Sequence, residues 1–316
     1  MSRYLVADIG GTSSRYAIFE SLAPGVFTKK ESTWLVTKDF GSFLGQLEQI
    51  KASGFLNDFS TVDAFVVAGA GPTVAGKIIR LTQVPWGIDL NALASGFKIL
   101  NSIAINDFAA QAYACLSPIQ AEADTILSGV SDPTGAISVV GAGTGLGVAA
   151  LIQDINGVYR AVQSEGGHVN YAPETDEEYA FLKFVSKELS VPYPSCEDTL
   201  SGRGLKLTHK FVTGENLTSE EVSKRLKDSP KTVEFFARNY GRVCRNMALQ
   251  YISSGGLFIA GGIAARNKEL VKHPAFEQSF RGTRQHKELV KNIEVKLLDN
   301  QESGLWGAAY LATTLA

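Results

Sequence analysis

The sequence predicts an α/β protein in which one strand–turn–strand unit is used twice. Three observations carry that expectation. A short apolar run, a glycine turn containing threonine and a return strand occupy residues 5–19, and the same pattern recurs at 137–152. The apolar run at 64–68 is a buried-type strand that ends in glycine, and 101–105 is another short strand that feeds a helix. Beyond Thr175 the spacing turns helical, and 316 residues suffice for two modest cores.

The elements follow in order. Residues 4–7 form a strand, and 14–19 alternates after the glycine turn, which predicts a hairpin. Residues 33–36 read as a third strand, and Phe43, Leu44, Leu47 and Ile50 place a helix over 40–50. The strand at 101–105 delivers Asn106 and Asp107 to an alanine-rich helix that runs from Phe108 to about Cys115 and stops before Pro118. Residues 137–140 lead into a loop, 141–147, with glycine at every other position, and 148–152 returns. Ser229-Pro230 is an N-cap followed by proline at the first helical position. Val233, Phe236, Tyr240, Val243, Met247 and Tyr251 then mark one apolar face, with Gly255 as the stop. Residues 257–260 are a strand into Gly261-Gly262, 293–297 is the last strand, and 303–316 is a small-residue helix.

Composition excludes several classes. Apolar residues make up 45% and charged residues 20%, a globular rather than disordered balance. A formal net charge of −2 leaves no basic footprint for nucleic acid phosphates, so no nucleic acid partner is expected. A small polyanion would therefore be held by local amides and a metal rather than by a general positive field. Cys115, Cys196 and Cys244 are widely spaced and form no CxxC pair, which predicts three reduced thiols in a reducing compartment. Asp8 interrupts the first apolar run too early for a signal peptide, and no run approaches the ~18 apolar residues of a spanning helix. The expectation is an intracellular enzyme with no membrane partner.

Two glycine segments are candidates for phosphate binding. In Asp8-Ile9-Gly10-Gly11-Thr12 the glycines let amides approach an anion closely; Thr12 adds a hydroxyl, and Asp8 can orient a metal-bound water. The plainer alternative is an ordinary hairpin turn. In 141–147, Gly141, Gly143, Gly145 and Gly147 surround Thr144, a spacing that weakens a strand but suits a polyphosphate loop and does not match GxGxxG. Gly71 to Lys77 fits GxxxxGK, but Ile78 stands where a phosphate loop needs Ser or Thr, and a strand rather than a helix follows. That match is rejected.

Two further groups carry polar chemistry. Asp107 is either the N-cap of its helix or a base, and Asn106 beside it can hold a hydroxylated ligand. Glu165 and His168 flank two glycines, and with Glu197 they offer the directed donors and acceptors that a polyol needs. His209, His273 and His286 read as structural or surface histidines, and no spacing resembles a transition-metal site.

In this order the motifs resemble the bacterial-type glucokinase family of the actin–hexokinase–heat-shock-chaperone superfamily. The segments are DIGGT at 8–12, INDF at 105–108, GAGTGLGVA at 141–149, EGGHVNYAP at 165–173, CEDTLSG at 196–202, FIAGGI at 258–263 and ESG at 302–304. The resemblance implies a two-domain actin-like ATPase fold, ribonuclease H-like, with an interdomain cleft that closes on ATP and a hexose. A small α/β domain would span 1–106, completed by a helix at 302–316, and a large one 107–301. It implies Asp107 as base, with Asn106, Asp107, Glu165, His168 and Glu197 on the sugar. Asp8, Gly10, Gly11 and Thr12 would face Mg²⁺ and the terminal phosphates, with Asp8 reaching the metal through water. Gly141, Gly143, Thr144 and Gly145 would form the second phosphate loop, and Gly261 and Gly262 would lie near the nucleoside. The implied reaction is ATP-dependent phosphorylation of D-glucose at the 6-hydroxyl, by a cytoplasmic and often dimeric enzyme. The alternatives are a kinase for another hexose or a weakly catalytic sugar sensor. Three positions depart from the family pattern: Ser13 where Asn is common, Gln83 before Val84-Pro85-Trp86 where Asn is common, and Asn170 where Asp is frequent.

Overall fold

The computed structural model of the chain describes every residue except Pro24 and Ala316. β1 (Ser2–Ile9) and β2 (Ser13–Ala23) pair antiparallel as the expected hairpin. β3 (Val26–Val36) adds antiparallel to β2 and is far longer than the expected 33–36. Its first half is rich in Lys, Thr and Glu and lies exposed on the sheet edge, so apolar alternation fails to mark it. α1 (Phe43–Ala52) is capped by Ser42, whose hydroxyl accepts the Gly45 N–H, and it buries Phe43, Gln46, Leu47 and Ile50. β4 (Ala64–Gly69) is wholly buried and parallel to β1. β5 (Thr73–Val74), β6 (Ile78–Ile79) and β7 (Ile88–Asp89) make a small separate sheet, followed by α2 (Leu93–Gly96). β8 (Ser102–Asn106), parallel to β4, leads directly into α3 (Asp107–Ala114).

Beyond this point the chain forms β9 (Asp124–Leu127), β10 (Ile137–Ala142), β11 (Leu146–Gln153) and β12 (Tyr159–Ser164). The helical stretch expected after Thr175 is α4 (Asp176–Leu189), α5 (Cys196–Thr199), α6 (Gly202–Thr213), α7 (Ser219–Arg225) and α8 (Pro230–Tyr251). α8 starts at the expected proline but ends before Gly255, with Ile252 in the left-handed region instead. β13 (Gly256–Ala260), α9 (Gly262–Arg266), α10 (Glu269–Lys272), α11 (Pro274–Arg281), α12 (Lys287–Asn292) and β14 (Val295–Leu297) follow. α13 (Ser303–Thr313) closes the described chain, and Ala316 of the expected 303–316 helix lies outside the described residues.

The two main sheets have the same plan. Their strand orders are β3-β2-β1-β4-β8 and β12-β11-β10-β13-β14-β9, each an antiparallel meander followed by parallel strands, with β9 as an added edge in the second. The recurrence read at 5–19 and 137–152 is thus a recurrence of sheet position as well as of sequence.

The chain divides into two compact units. One is Met1–Glu122 together with the segment from Asn300 onward, and the other is Ala123–Asp299. The division therefore falls after Glu122 rather than after residue 106, because α3 packs on α13 and stays with the first unit. The first unit is built around Leu5, Ile9, Tyr16, Phe43, Leu47, Phe65 and Val67. The second is built around Val140, Val148, Phe236, Tyr240, Ile259 and Phe276. All three cysteines are buried and unpaired, and burial pushes the Cys196 thiol up to about 11. Among the described residues no helix is long and apolar enough to cross a membrane.

Candidate active site

In the first unit the carboxyl ends of three parallel strands lie side by side, since Ile9 pairs with Gly69 and Gly69 with Asn106. Asp8, the 10–12 turn, Asn106 and Asp107 therefore share one sheet edge, where open α/β sheets bind ligands. The Gly10 N–H donates to the Ser13 carbonyl at 3.0 Å and closes the turn. Gly11 leaves no room for a side chain: a Cβ there would stand 2.2 Å from Gln83 Oε1 and 2.4 Å from Gln83 Cβ. Gln83, one of the three departures, thus packs directly on the first glycine turn, and Ser13, another, opens β2 beside it.

Asp8 is partly shielded. Burial raises its pKa and the Arg15 guanidinium opposes that rise, Arg15 being its cross-strand neighbour. Its carboxylate also touches the first turn of α13, so closely that a Cβ on Gly304 would fall 2.6 Å from Oδ2. A desolvated carboxylate beside a glycine turn fits a cation that is held mainly by water and phosphate oxygens, as Mg²⁺ is. Among the described residues no three His, Cys, Asp or Glu side chains gather as a metal site, so Asp8 would act as a single protein carboxylate.

At the β8–α3 junction the cap is Asn106 rather than Asp107, the residue that the sequence offered for it. Its Oδ1 accepts the N–H groups of Phe108 at 2.9 Å and Ala109 at 3.3 Å, while Nδ2 donates to the Gly71 carbonyl at 3.2 Å. Asp107 is then the first helical residue, where a negative charge meets the positive end of the helix, and its Oδ1 accepts the Phe108 N–H at 3.0 Å. Asn106→Ala is expected to cost about 1 kcal/mol through loss of the cap. In a protein of this size that is a melting-temperature drop of roughly 2–4 °C, measurable by thermal denaturation. The rejected GxxxxGK match is accounted for as well: Lys77 Nζ donates to the Ser102 carbonyl at 2.5 Å and is used to tie β8 to its neighbours.

The second unit gathers the remaining candidates. β10 and β13 run parallel and end together, with Gly141 paired to Ala260. Gly261 follows at φ +88°, and a Cβ on it would stand 2.5 Å from the Ala142 carbonyl, so only glycine lets β13 turn into α9 this close to the loop. Gly262 begins α9 beside the Arg266 guanidinium. In the loop itself the Gly143 N–H donates to the Gly145 carbonyl at 2.8 Å, and the Gly143 carbonyl accepts the Gly202 N–H at 2.8 Å. Thr144 sits at the loop's tip, between those two glycines.

Glu165 precedes and His168 ends a single 3-10 turn, Gly166–His168, and their side chains stand exposed with His168 Nε2 and Glu165 Oε2 3.7 Å apart. The turn is stitched to the segment that carries Glu197: the Cys196 N–H donates to the Val169 carbonyl at 2.8 Å, and Asn170, the third departure, bridges to Ser195. Glu197 is half-committed to the loop. Its Oε2 accepts the Leu146 N–H at 3.0 Å, and its Oε1 accepts from Arg203 at 3.3 Å. Sequence spacing suggested Glu197 only as a sugar ligand; the structure gives it the additional task of holding the glycine loop.

The far end of this motif is anchored by a buried ionic cluster. Tyr171 donates to Asn239 Oδ1 at 2.6 Å and accepts from Arg242 at 3.1 Å. Arg242 also pairs with the fully buried Glu178, which accepts the Glu174 N–H at 2.7 Å and lies 3.1 Å from Arg238. Histidines read as structural behave so: His209 is buried with Nδ1 3.1 Å from Thr232 Oγ1, and His273 Nδ1 accepts the Ala275 N–H at 3.1 Å.

Sequence reasoning missed a cavity of about 410 Å³ beside the glycine loop. Gly143, Thr144 and Gly202 form one side, Leu205 and Ile263 supply apolar walls, and Glu220, Lys224 and Arg266 are polar margins. Ser223 Oγ donates to Asn267 Oδ1 at 2.9 Å and joins α7 to the end of α9 beneath it. The volume and mixed lining suit a nucleoside-sized ligand. Its signal in sequence is weak, because α7 reads only as a short charged helix.

The glucokinase family model matches residues 5–315. Curated glucokinases of Synechocystis sp. and Yersinia enterocolitica are each 31% identical to the chain, with 98% of the chain and 97% of each relative covered. Among solved structures, a glucokinase from an Antarctic psychrotroph superimposes with a TM-score of 0.87 at 27% identity, covering 99% of both chains. A glucokinase from Balamuthia mandrillaris, solved with glucose, has the same fold with a TM-score of 0.77 at 20% identity over 99% of this chain and 94% of the other.

Proposed function

The chain belongs to the glucokinase family, and from that membership we propose that it transfers the γ-phosphoryl group of ATP to the 6-hydroxyl of D-glucose with Asp107 as the base. The observation that carries the choice of base is the division of roles at the β8–α3 junction. Asn106 takes the cap, so Asp107 sits at the head of α3 without being the capping residue. As the 6-oxygen forms its bond to the γ-phosphorus, its proton passes to the Asp107 carboxylate; the bond from phosphorus to the β–γ bridging oxygen breaks, and ADP leaves. Such a transition state is loose, so an ordinary carboxylate within hydrogen-bond reach is adequate.

The other roles follow from chemistry. In the first unit, the amides of Gly11 and Thr12 receive phosphate oxygens on the turn that the Gly10 N–H closes, and Asn106 meets a sugar hydroxyl through the second proton of its amide. In the second, Glu165, His168 and Glu197 accept from and donate to sugar hydroxyls, and Gly141, Gly143, Thr144 and Gly145 contact phosphate. Gly261 and Gly262 border the nucleoside, for which the cavity between α6, α7 and α9 is the seat. Mg²⁺, when bound with ATP, neutralises charge on the phosphate oxygens, and Asp8 would hold it through water. The actin-like, ribonuclease H-like description with its substrate cleft, the cytoplasmic location and a homodimer belong to the same proposal, supported by the family relationship.

A coupled ADP-release assay with MgATP and a panel of hexoses tests the reading. Turnover dominated by glucose is the expected result. Faster turnover on mannose, fructose or an amino sugar would reassign the substrate. No turnover on any sugar, with ATP still bound, would make the protein a sugar sensor.

A further inference from the structure

Four polar side chains with no solvent exposure form a continuous chain behind the first glycine turn: Tyr16, Gln46, Ser14 and Thr37. The Tyr16 hydroxyl donates to Gln46 Oε1 at 2.7 Å, and Gln46 Nε2 donates to Ser14 Oγ at 2.9 Å. Ser14 and Thr37 hydroxyls are 2.9 Å apart, and the Thr37 hydroxyl donates to the Gly10 carbonyl at 2.7 Å. The single proton of Thr37 is spent on Gly10, so Ser14 must be the donor to Thr37. Every bond then points the same way, from Tyr16 to the turn, an arrangement in which each bond polarises the next. Burial pushes the Tyr16 phenol upward, which keeps it a donor.

Thr37 holds the turn at both ends. While its hydroxyl binds the Gly10 carbonyl, its own N–H donates to the Thr12 carbonyl at 3.0 Å. In a trans peptide the carbonyl and the next amide point in opposite directions, and the described chain has no cis peptide. A Gly10 carbonyl turned toward Thr37 sends the Gly11 N–H the other way, and a Thr12 carbonyl turned toward Thr37 does the same for the Ser13 N–H. For stability alone, a matched set of apolar side chains would serve this core as well as four buried polar groups.

We propose that Thr37, backed by Ser14, Gln46 and Tyr16, is a positioning residue that fixes the Gly10–Gly11 and Thr12–Ser13 peptide planes and so aims the Gly11 amide at the nucleotide phosphates. The proposal rests on the kinase reading above. The two glycines of the turn have no side chains of their own, and Gln83 packs on Gly11 from one side; Thr37 binds the peptide carbonyls of Gly10 and Thr12 from behind, before any nucleotide arrives.

Thr37→Val keeps the side-chain shape and the N–H bond to Thr12 but removes the hydroxyl. It is expected to lower kcat/KM for MgATP by about ten-fold, the value of one lost hydrogen bond with its carbonyl left unpaired. KM for glucose should stay within about two-fold and Thr37→Ser should restore the wild-type value, because the conservative change keeps the donor. Calorimetric titration with MgADP should show the same ordering independently of turnover. A Thr37→Val protein with reduced melting temperature but wild-type MgATP kinetics and MgADP affinity would overturn the proposal and leave a structural bond only. If Thr37→Val does not fold, Ser14→Ala breaks the chain one link back, and unchanged nucleotide parameters in that variant overturn it equally. Failure of the wild type to phosphorylate any hexose would refute the kinase reading instead, and the MgADP titrations would still decide the role of Thr37.

Discussion

Asp107→Asn is expected to lower kcat on glucose by about 10²–10⁴-fold, the usual contribution of a positioned general base. Glucose affinity should change far less. The substitution is nearly isosteric, and its Oδ1 can still accept the Phe108 N–H that Asp107 accepts at 3.0 Å, so the start of α3 is retained. The cap is untouched because Asn106 supplies it. Steady-state kinetics give kcat, calorimetric glucose titration gives affinity, and a melting curve checks the fold. A variant with near-normal kcat would show that the proton leaves by another route. A variant that lost sugar binding in proportion would make Asp107 a ligand rather than a base.

The second large effect falls on stability. Glu178→Gln is expected to cost about 3 kcal/mol, since removing one member of a buried ion pair leaves the other charge uncompensated. Arg242 would remain buried with only the half-exposed Glu174 as ionic partner. Burial raises the Glu178 pKa, but the Arg242 hydrogen bond, the Glu174 amide and the charges of Arg242 and Arg238 outweigh it, and the net value lies below the ordinary 4.5. The sign is then fixed. The stabilisation is present above the unfolded value and disappears as pH falls through the lower folded value. Urea unfolding at a series of pH values should show the wild type losing this contribution below about pH 4.5, with the Gln variant flatter across that range. Equal unfolding free energies at pH 7 would mean that the pair merely offsets its own desolvation.

Much of the architecture is legible because it is written in local patterns. The first hairpin, the buried strand at 64–68, the Pro-started α8 and the two glycine units all follow from period and turn chemistry. β3 and β12 are less visible: they lie on sheet edges, where exposed polar residues erase the alternation. The motif residues sort into two local groups, one in each unit, and their neighbourhoods are mostly tertiary facts. Nothing near Glu197 announces that it holds the Leu146 amide, 51 residues away. Which of Asn106 and Asp107 caps α3 could be decided only by seeing which oxygen meets both helix amides. Thr37 is silent in sequence for the same reason, since its partners Ser14 and Gly10 are far along the chain and it looks like the end of an ordinary strand.

The return of α13 to the first unit has a consequence for biosynthesis. The second unit is a continuous stretch, Ala123–Asp299, and can complete itself while it leaves the ribosome. The first unit cannot, because its closing helix is translated after the whole of the second. Gly304 at the head of that helix is the backing for Asp8. A chain released before Asn300 would thus carry both glycine loops and still lack the helix turn that backs Asp8.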